Sequence, residues 1–213
     1  MVKIPNYDTH SNEKSKSRRL NDFLDEDYRM LVTGASGSGK TNMLMHMLRG
    51  PLVYYDQVYL YTRNPAQDKI QDLKKVMDEI SQKVGYDVLE ILKSDEIMDT
   101  DEYTEGNRKI VIFDDLVNAP EKVQSKIANH FTDGRHHQIS PIYLTQSYFH
   151  TPMKLRLNCS HMIFYTPPTK KHCKLIAEEN MFDPKLFEKL GPYEFLFVDK
   201  EKKKVTKNFD EKI

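Results

Sequence analysis

The 213-residue chain carries 32 basic and 32 acidic side chains, hence no formal net charge, with 38% hydrophobic and 30% charged residues. That length suits one α/β domain with short appendages and excludes a motor fused to a full nuclease. The charge balance excludes nucleic-acid binding through net charge and leaves only local basic patches.

Residues 1–22 are polar, lack the apolar core of a secretory signal, and read as a peripheral arm; an ordered domain is expected over 23–213. Arg29–Thr33 is a short strand. Thr41–Arg49 is a helix with Met43, Leu44, Met47 and Leu48 on one face, stopped by Gly50-Pro51. Gln57–Thr62 is β-rich, and the tyrosines Tyr54, Tyr55, Tyr59 and Tyr61 read as alternating sheet packing. Asp68–Val84 places Ile70, Leu73, Val76, Ile80 and Val84 at helical spacing. A short strand over Asp87–Leu92 leads into an acidic, breaker-rich loop, Asp95–Asn107.

Lys109–Phe113 is a near-continuous apolar run, the mark of a strand buried on both faces. Pro120–Phe131 is a helix, with Gly134 as its C-cap. Strands follow at Ser140–Thr145 and His161–Thr166, a helix at Lys170–Glu179, a strand at Glu194–Val198, and a last strand near Val205–Phe209 after a charged turn. Alternating β and α elements predict an α/β fold in three layers, with a mainly parallel central sheet covered by helices on both faces. The two cysteines, Cys159 and Cys173, have no metal-ligand spacing, and no segment approaches the ~18 apolar residues of a membrane span, so free thiols and a cytosolic setting are expected.

Three of the eight glycines fall within Gly34–Gly39, in the stretch Gly34-Ala35-Ser36-Gly37-Ser38-Gly39-Lys40-Thr41. It matches GxxxxGK(S/T), after a predicted strand and opening a predicted helix, with Asn42 next in line. Glycines let the backbone curl round phosphates, and the helix N-terminus adds favourable electrostatics. Lys40 is placed to reach the β- and γ-phosphates of ATP, and Thr41 to bind magnesium. A second element is the apolar strand ending in Asp114-Asp115: Asp114 can hold magnesium and Asp115 can polarise the attacking water. A third is Thr145-Gln146 at the end of another buried strand, where Gln146 can orient water or sense the γ-phosphate. The fourth is Arg135 after Gly134, exposed and able to act on a neighbouring subunit's ATP; Arg156 ranks second for that role. The adjacent His136 and His137 point apart and do not form a metal site.

These four elements, in this order, resemble the FtsK–HerA branch of P-loop ATPases. The run Phe113 to Pro168 is similar to that of genome-packaging ATPases of large DNA viruses of the poxvirus kind, shared with virophages and Polinton-like elements. The resemblance implies the additional-strand, RecA-like type of P-loop fold. It also implies a ring of identical subunits that drives double-stranded DNA into a preformed capsid by ATP hydrolysis, in contact with capsid or portal vertex proteins, in the infected-cell cytoplasm or virus factory. By matching positions Lys40, Thr41, Asp114, Asp115, Gln146 and Arg135 take the family's roles. Many relatives carry Asp-Glu where this chain has Asp114-Asp115.

For DNA, Lys154 and Arg156 on the loop after Gln146, and Lys170 and Lys171 at the next helix, are the expected phosphate contacts. Two other readings remain at the level of sequence: a small P-loop kinase acting on a nucleotide or metabolite, and a slow nucleotide-binding switch docked on an assembly.

Overall fold

The computed structural model describes residues 23–50, 52–209 and 211–212; the expected arm at 1–22 lies outside the described residues. The chain runs β1 (Met30–Thr33), α1 (Lys40–Arg49), β2 (Gln57–Thr62), α2 (Asp68–Val84), β3 (Leu89–Lys93), β4 (Lys109–Asp114), α3 (Glu121–Asp133), β5 (Ile139–Thr145), α4 (Met153–Asn158), β6 (His161–Tyr165), α5 (Lys170–Asn180), β7 (Phe195–Asp199), β8 (Lys204–Lys207) and β9 (Glu211–Lys212). The strands form one sheet in the order β3-β2-β4-β5-β1-β6-β7-β8-β9. The six from β3 to β6 are parallel. The last three join antiparallel.

Period-two alternation sorts each central strand onto two cores. Met30, Val32, Val58, Leu60, Ile110, Ile112, Ile142 and Leu144 pack on one face with Met43, Leu44, Met47 and Leu48 of α1 and Ile70, Leu73 and Met77 of α2. Leu31, Tyr59, Tyr61, Val111, Phe113 and Tyr143 pack on the other, with Ile127 and Phe131 of α3, Leu155 of α4 and Ile176 of α5. The three layers are therefore helix, sheet and helix, as the alternation of elements predicts.

Several local expectations are corrected. Val84 is exposed at the last turn of α2, and Met77 takes the core position instead. Tyr54 lies outside β2 and is exposed. The acidic loop at 95–107 is pinned by Tyr103, whose hydroxyl meets that of Tyr61 at 3.1 Å and His130 Nε2 at 2.9 Å. Gly134 is right-handed (φ −52, ψ −34) and begins a 3-10 turn, Gly134–His137; the left-handed residue is Gln138 (φ 57). A Cβ at 134 would sit a tight 3.3 Å from Ile139, which favours glycine there. Lys154 and Arg156 lie on α4 rather than on a loop.

Candidate active site

Strand β5 lies between β1 and β4. Because all three run parallel, the loops after them leave the sheet at the same edge, where open α/β sheets bind ligands. The last carbonyls of β5 hold both neighbouring loops: Gly34 N–H donates to Thr145 O (3.2 Å) and Asp115 N–H to Leu144 O (2.9 Å). One strand end thus fixes the glycine loop and the acidic pair relative to each other.

The glycine loop has the backbone its sequence demands. Gly37 and Gly39 take left-handed φ values of 76° and 106°, open to glycine at no steric cost. At Gly34 a Cβ would fall 2.8 Å from Tyr165 Cβ, so close packing of the loop on β6 also requires glycine. Helix α1 starts from Gly39 with no side-chain cap and no acid in its first turn. Its first N–H groups have no side-chain acceptor, while the helix dipole makes that end positive. By contrast α5 is capped by Thr169, which accepts from His172 N–H. The Ser38 hydroxyl is buried without a protein partner. Lys40 Nζ donates to the carbonyls of Gly34 (2.5 Å) and Ala35 (2.9 Å). Burial lowers the pKa of its ammonium, opposed by Asp115 and Asp114 and reinforced by Lys69. Uncapped amides, a buried hydroxyl and a partly desolvated ammonium form a site suited to an anion.

Asp114 ends β4 beside Thr62, its register partner on β2, whose hydroxyl donates to Asp114 Oδ2 at 3.3 Å. Burial raises the Asp114 pKa, the Thr62 bond lowers it, Asp115 raises it and Lys40 lowers it. The Asp114 carboxylate at the end of β4 and the Thr41 hydroxyl at the start of α1 are oxygen donors of the kind that could hold magnesium. Asp115 adopts a left-handed φ of 51°, a conformation aspartate tolerates better than most residues. Its carboxylate Oδ2 accepts from Gln146 Nε2 at 2.8 Å. Thr145, by contrast, serves its own turn, its Oγ1 accepting from Ser147 N–H (3.1 Å). The structure therefore brings together Lys40, Asp114, Asp115 and Gln146, which come from three separate strand ends.

The predicted basic residues do not join that cluster. Arg135 is exposed in the 3-10 turn before β5, at the opposite edge of the sheet and about 20 Å from the loop by strand rise. It cannot reach the site of its own chain. Arg156 is only 12% exposed, paired with Glu179 (2.6 Å) and stacked on Tyr148 at 4.6 Å. Lys154, Lys170 and Lys171 are exposed.

Thr62, Lys69, Tyr165 and Tyr193 belong to the neighbourhood and were not legible as site residues. Thr62 alone carried a usable signal, a polar residue closing an apolar strand as Asp114 and Thr145 do.

Residues 15–181 match the family described as Poxvirus A32 protein. The chain belongs to that family. A32 relatives include the DNA packaging protein OPG160 of vaccinia virus (strain Copenhagen), 30% identical over 154 residues, which cover 70% of this chain and 56% of the relative. The protein of the same name from monkeypox virus is also 30% identical, over 70% of this chain and 50% of its own length. The chain thus spans about half the length of the curated relatives it matches. Among solved structures, the genome packaging NTPase B204 of Sulfolobus turreted icosahedral virus 2, in complex with AMPPCP, superposes with a TM-score of 0.62 at 15% identity, covering 87% of this chain and 98% of the other. The EssC protein of Geobacillus thermodenitrificans (ATPases 2 and 3) gives 0.51 at 16% identity, covering 82% and 38%. At those identities the likeness establishes a shared P-loop ATPase fold.

Proposed function

We infer that the protein is an ATP-hydrolysing motor that drives double-stranded viral DNA into a preformed capsid as a ring of identical subunits. The observation that carries this reading is the 2.8 Å bond from Gln146 to Asp115 on a strand whose end also holds the glycine loop. A carboxylate and an amide held together beside the glycine loop support the reading of Asp115 as base and Gln146 as water-orienting group.

In this reading the amides of 34–41 and the first turn of α1, including Asn42, grip the triphosphate. Lys40 exchanges its two carbonyl contacts for phosphate oxygens, a stronger charge-assisted bond. Thr41 and Asp114 hold magnesium, which neutralises charge developing on the phosphates when bound. Gln146 orients water and Asp115 accepts its proton. The segment between Asp115 and β5 holds one long helix and a single arginine, Arg135, which favours hydrolysis over a kinase that closes an arginine-rich lid on an acceptor.

Arg135, unable to serve its own site, is assigned to the neighbouring subunit's triphosphate across the ring. Lys154, Lys170 and Lys171 are exposed and suited to grip DNA phosphates; Arg156 would first have to leave Glu179. The naming of A32-family relatives as DNA packaging proteins supports contact with capsid or portal proteins and action in the virus factory. Among the described residues no helix is long and apolar enough to cross a membrane.

The test is the ATPase rate with and without double-stranded DNA across protein concentration. The motor predicts DNA stimulation and a specific activity that climbs as subunits meet. A concentration-independent rate indifferent to DNA would reject it.

A further inference from the structure

A cavity of about 550 Å³ opens beside the phosphate loop, bounded among other residues by Gly39, Asn42, His46, Tyr165, Tyr193 and Asn208. That size is right for a nucleoside. It shares Gly39 with the loop, so the two are one continuous surface. Asn42 and His46 lie one helical turn apart on the exposed face of α1, and both line the cavity. Tyr165 forms another wall, its ring 5.5 Å from that of Phe195. Among the described residues no lysine, arginine, aspartate or glutamate lines it, so it is no second phosphate site.

Tyr193 is the telling residue. It sits in the left-handed region (φ 64), which costs a bulky residue about 1–2 kcal/mol, yet the residue is 71% exposed and gains little from the core. The turn that holds it is braced: the Glu194 carboxylate accepts from Gly191 N–H at 2.6 Å and pairs with Lys207 of β8 at 2.8 Å. The brace puts the ring over the loop, 3.4 Å from where a Cβ on Gly39 would lie. Strain held in place without burial marks a residue kept for contact with something else.

We propose that this cavity receives the base and ribose of the nucleoside triphosphate, with Tyr193 as the stacking wall and Asn42 and His46 as polar contacts. The proposal rests on the triphosphate lying on the loop at 34–41. Aromatic side chains stack on any base through its π-face, so the wall favours nucleotides over bare polyphosphate without choosing among bases.

The test is calorimetric titration of the full chain with magnesium and either ATP or inorganic tripolyphosphate. Wild type should bind ATP more tightly than tripolyphosphate. Tyr193→Asn, which keeps a residue tolerant of left-handed backbone, should weaken ATP about ten-fold and leave tripolyphosphate unchanged. Tyr193→Phe should match wild type. Equal affinity of wild type for the two ligands overturns the proposal while leaving the phosphate loop reading intact. So does an unchanged ATP affinity in Tyr193→Asn, or an equal loss for both ligands, which would make the tyrosine a brace for the loop. Failure of wild type to bind either ligand would remove the phosphate reading itself, and this proposal with it.

Discussion

At the edge where the parallel strands begin, ion pairs cluster, although buried Lys109 there donates only to the carbonyls of Asn107 and His137. Arg108 reaches Glu26 at 2.6 Å and Asp27 at 3.1 Å, Lys202 spans Asp199 at 3.2 Å and Asp25 at 3.9 Å, and Arg29 faces Glu201 at 3.7 Å. At the edge where they end, Lys40 contacts only carbonyls among the described residues, and the side chain of Asp114 only a hydroxyl. Burial pushes both away from their charged forms. One edge closes the fold largely with paired charge. The other holds a cation and a carboxylate partly desolvated and free to be completed by ligand, which is how sites trade stability for function.

Four substitutions break or sharpen that contrast, in falling order of effect. Asp115→Asn should lower kcat about 10³-fold, the usual scale for a lost general base, with ATP affinity retained; single-turnover hydrolysis beside equilibrium binding separates the two, and normal turnover would deny the base role. Lys40→Ala should weaken ATP about 100-fold, since it removes the loop's own cation, with melting temperature unchanged; titration calorimetry reads this directly. Arg108→Ala belongs to the other edge. It should cost about 2 kcal/mol of stability, ~4–8 °C in Tm, and leave ATP affinity untouched.

Asp114→Asn has the smallest effect on stability and the most informative sign. A carboxyl whose pKa is raised in the fold costs stability once pH rises above its unfolded value, so at neutral pH the amide should raise stability by about 1 kcal/mol. The same variant should lose magnesium-dependent hydrolysis. A drop in Tm, with hydrolysis intact, would place Asp114 among structural carboxylates like Asp199.

The glycine loop, the acidic strand end and the glutamine were legible because each obeys a local rule: glycine for left-handed turns, an apolar run for a buried strand, a polar residue where the strand ends. Their adjacency was not, because Asp115 and Gln146 lie 31 positions apart and are joined by the pairing of β4 with β5, while β1 on the other side of β5 brings in the glycine loop. Helix α4 escaped because six residues carry too little periodicity to show a face. Gly134 misled because crowding by Ile139, rather than a left-handed cap, favours glycine there. Tyr193 left no trace in the pattern, since its position depends on a turn braced from β8, beyond reach of a local window.

The central claim is that triphosphate binds at the edge where the parallel strands end. Amide chemical shifts measured on titrating the labelled chain with magnesium and a non-hydrolysable ATP analogue test it most directly. The account predicts large shifts at Gly34–Thr41, Asp114, Asp115 and Gln146, with Glu26, Arg108 and Arg29 still. Shifts centred on the opposite edge, or none at Gly34–Thr41 under saturating analogue, would contradict it.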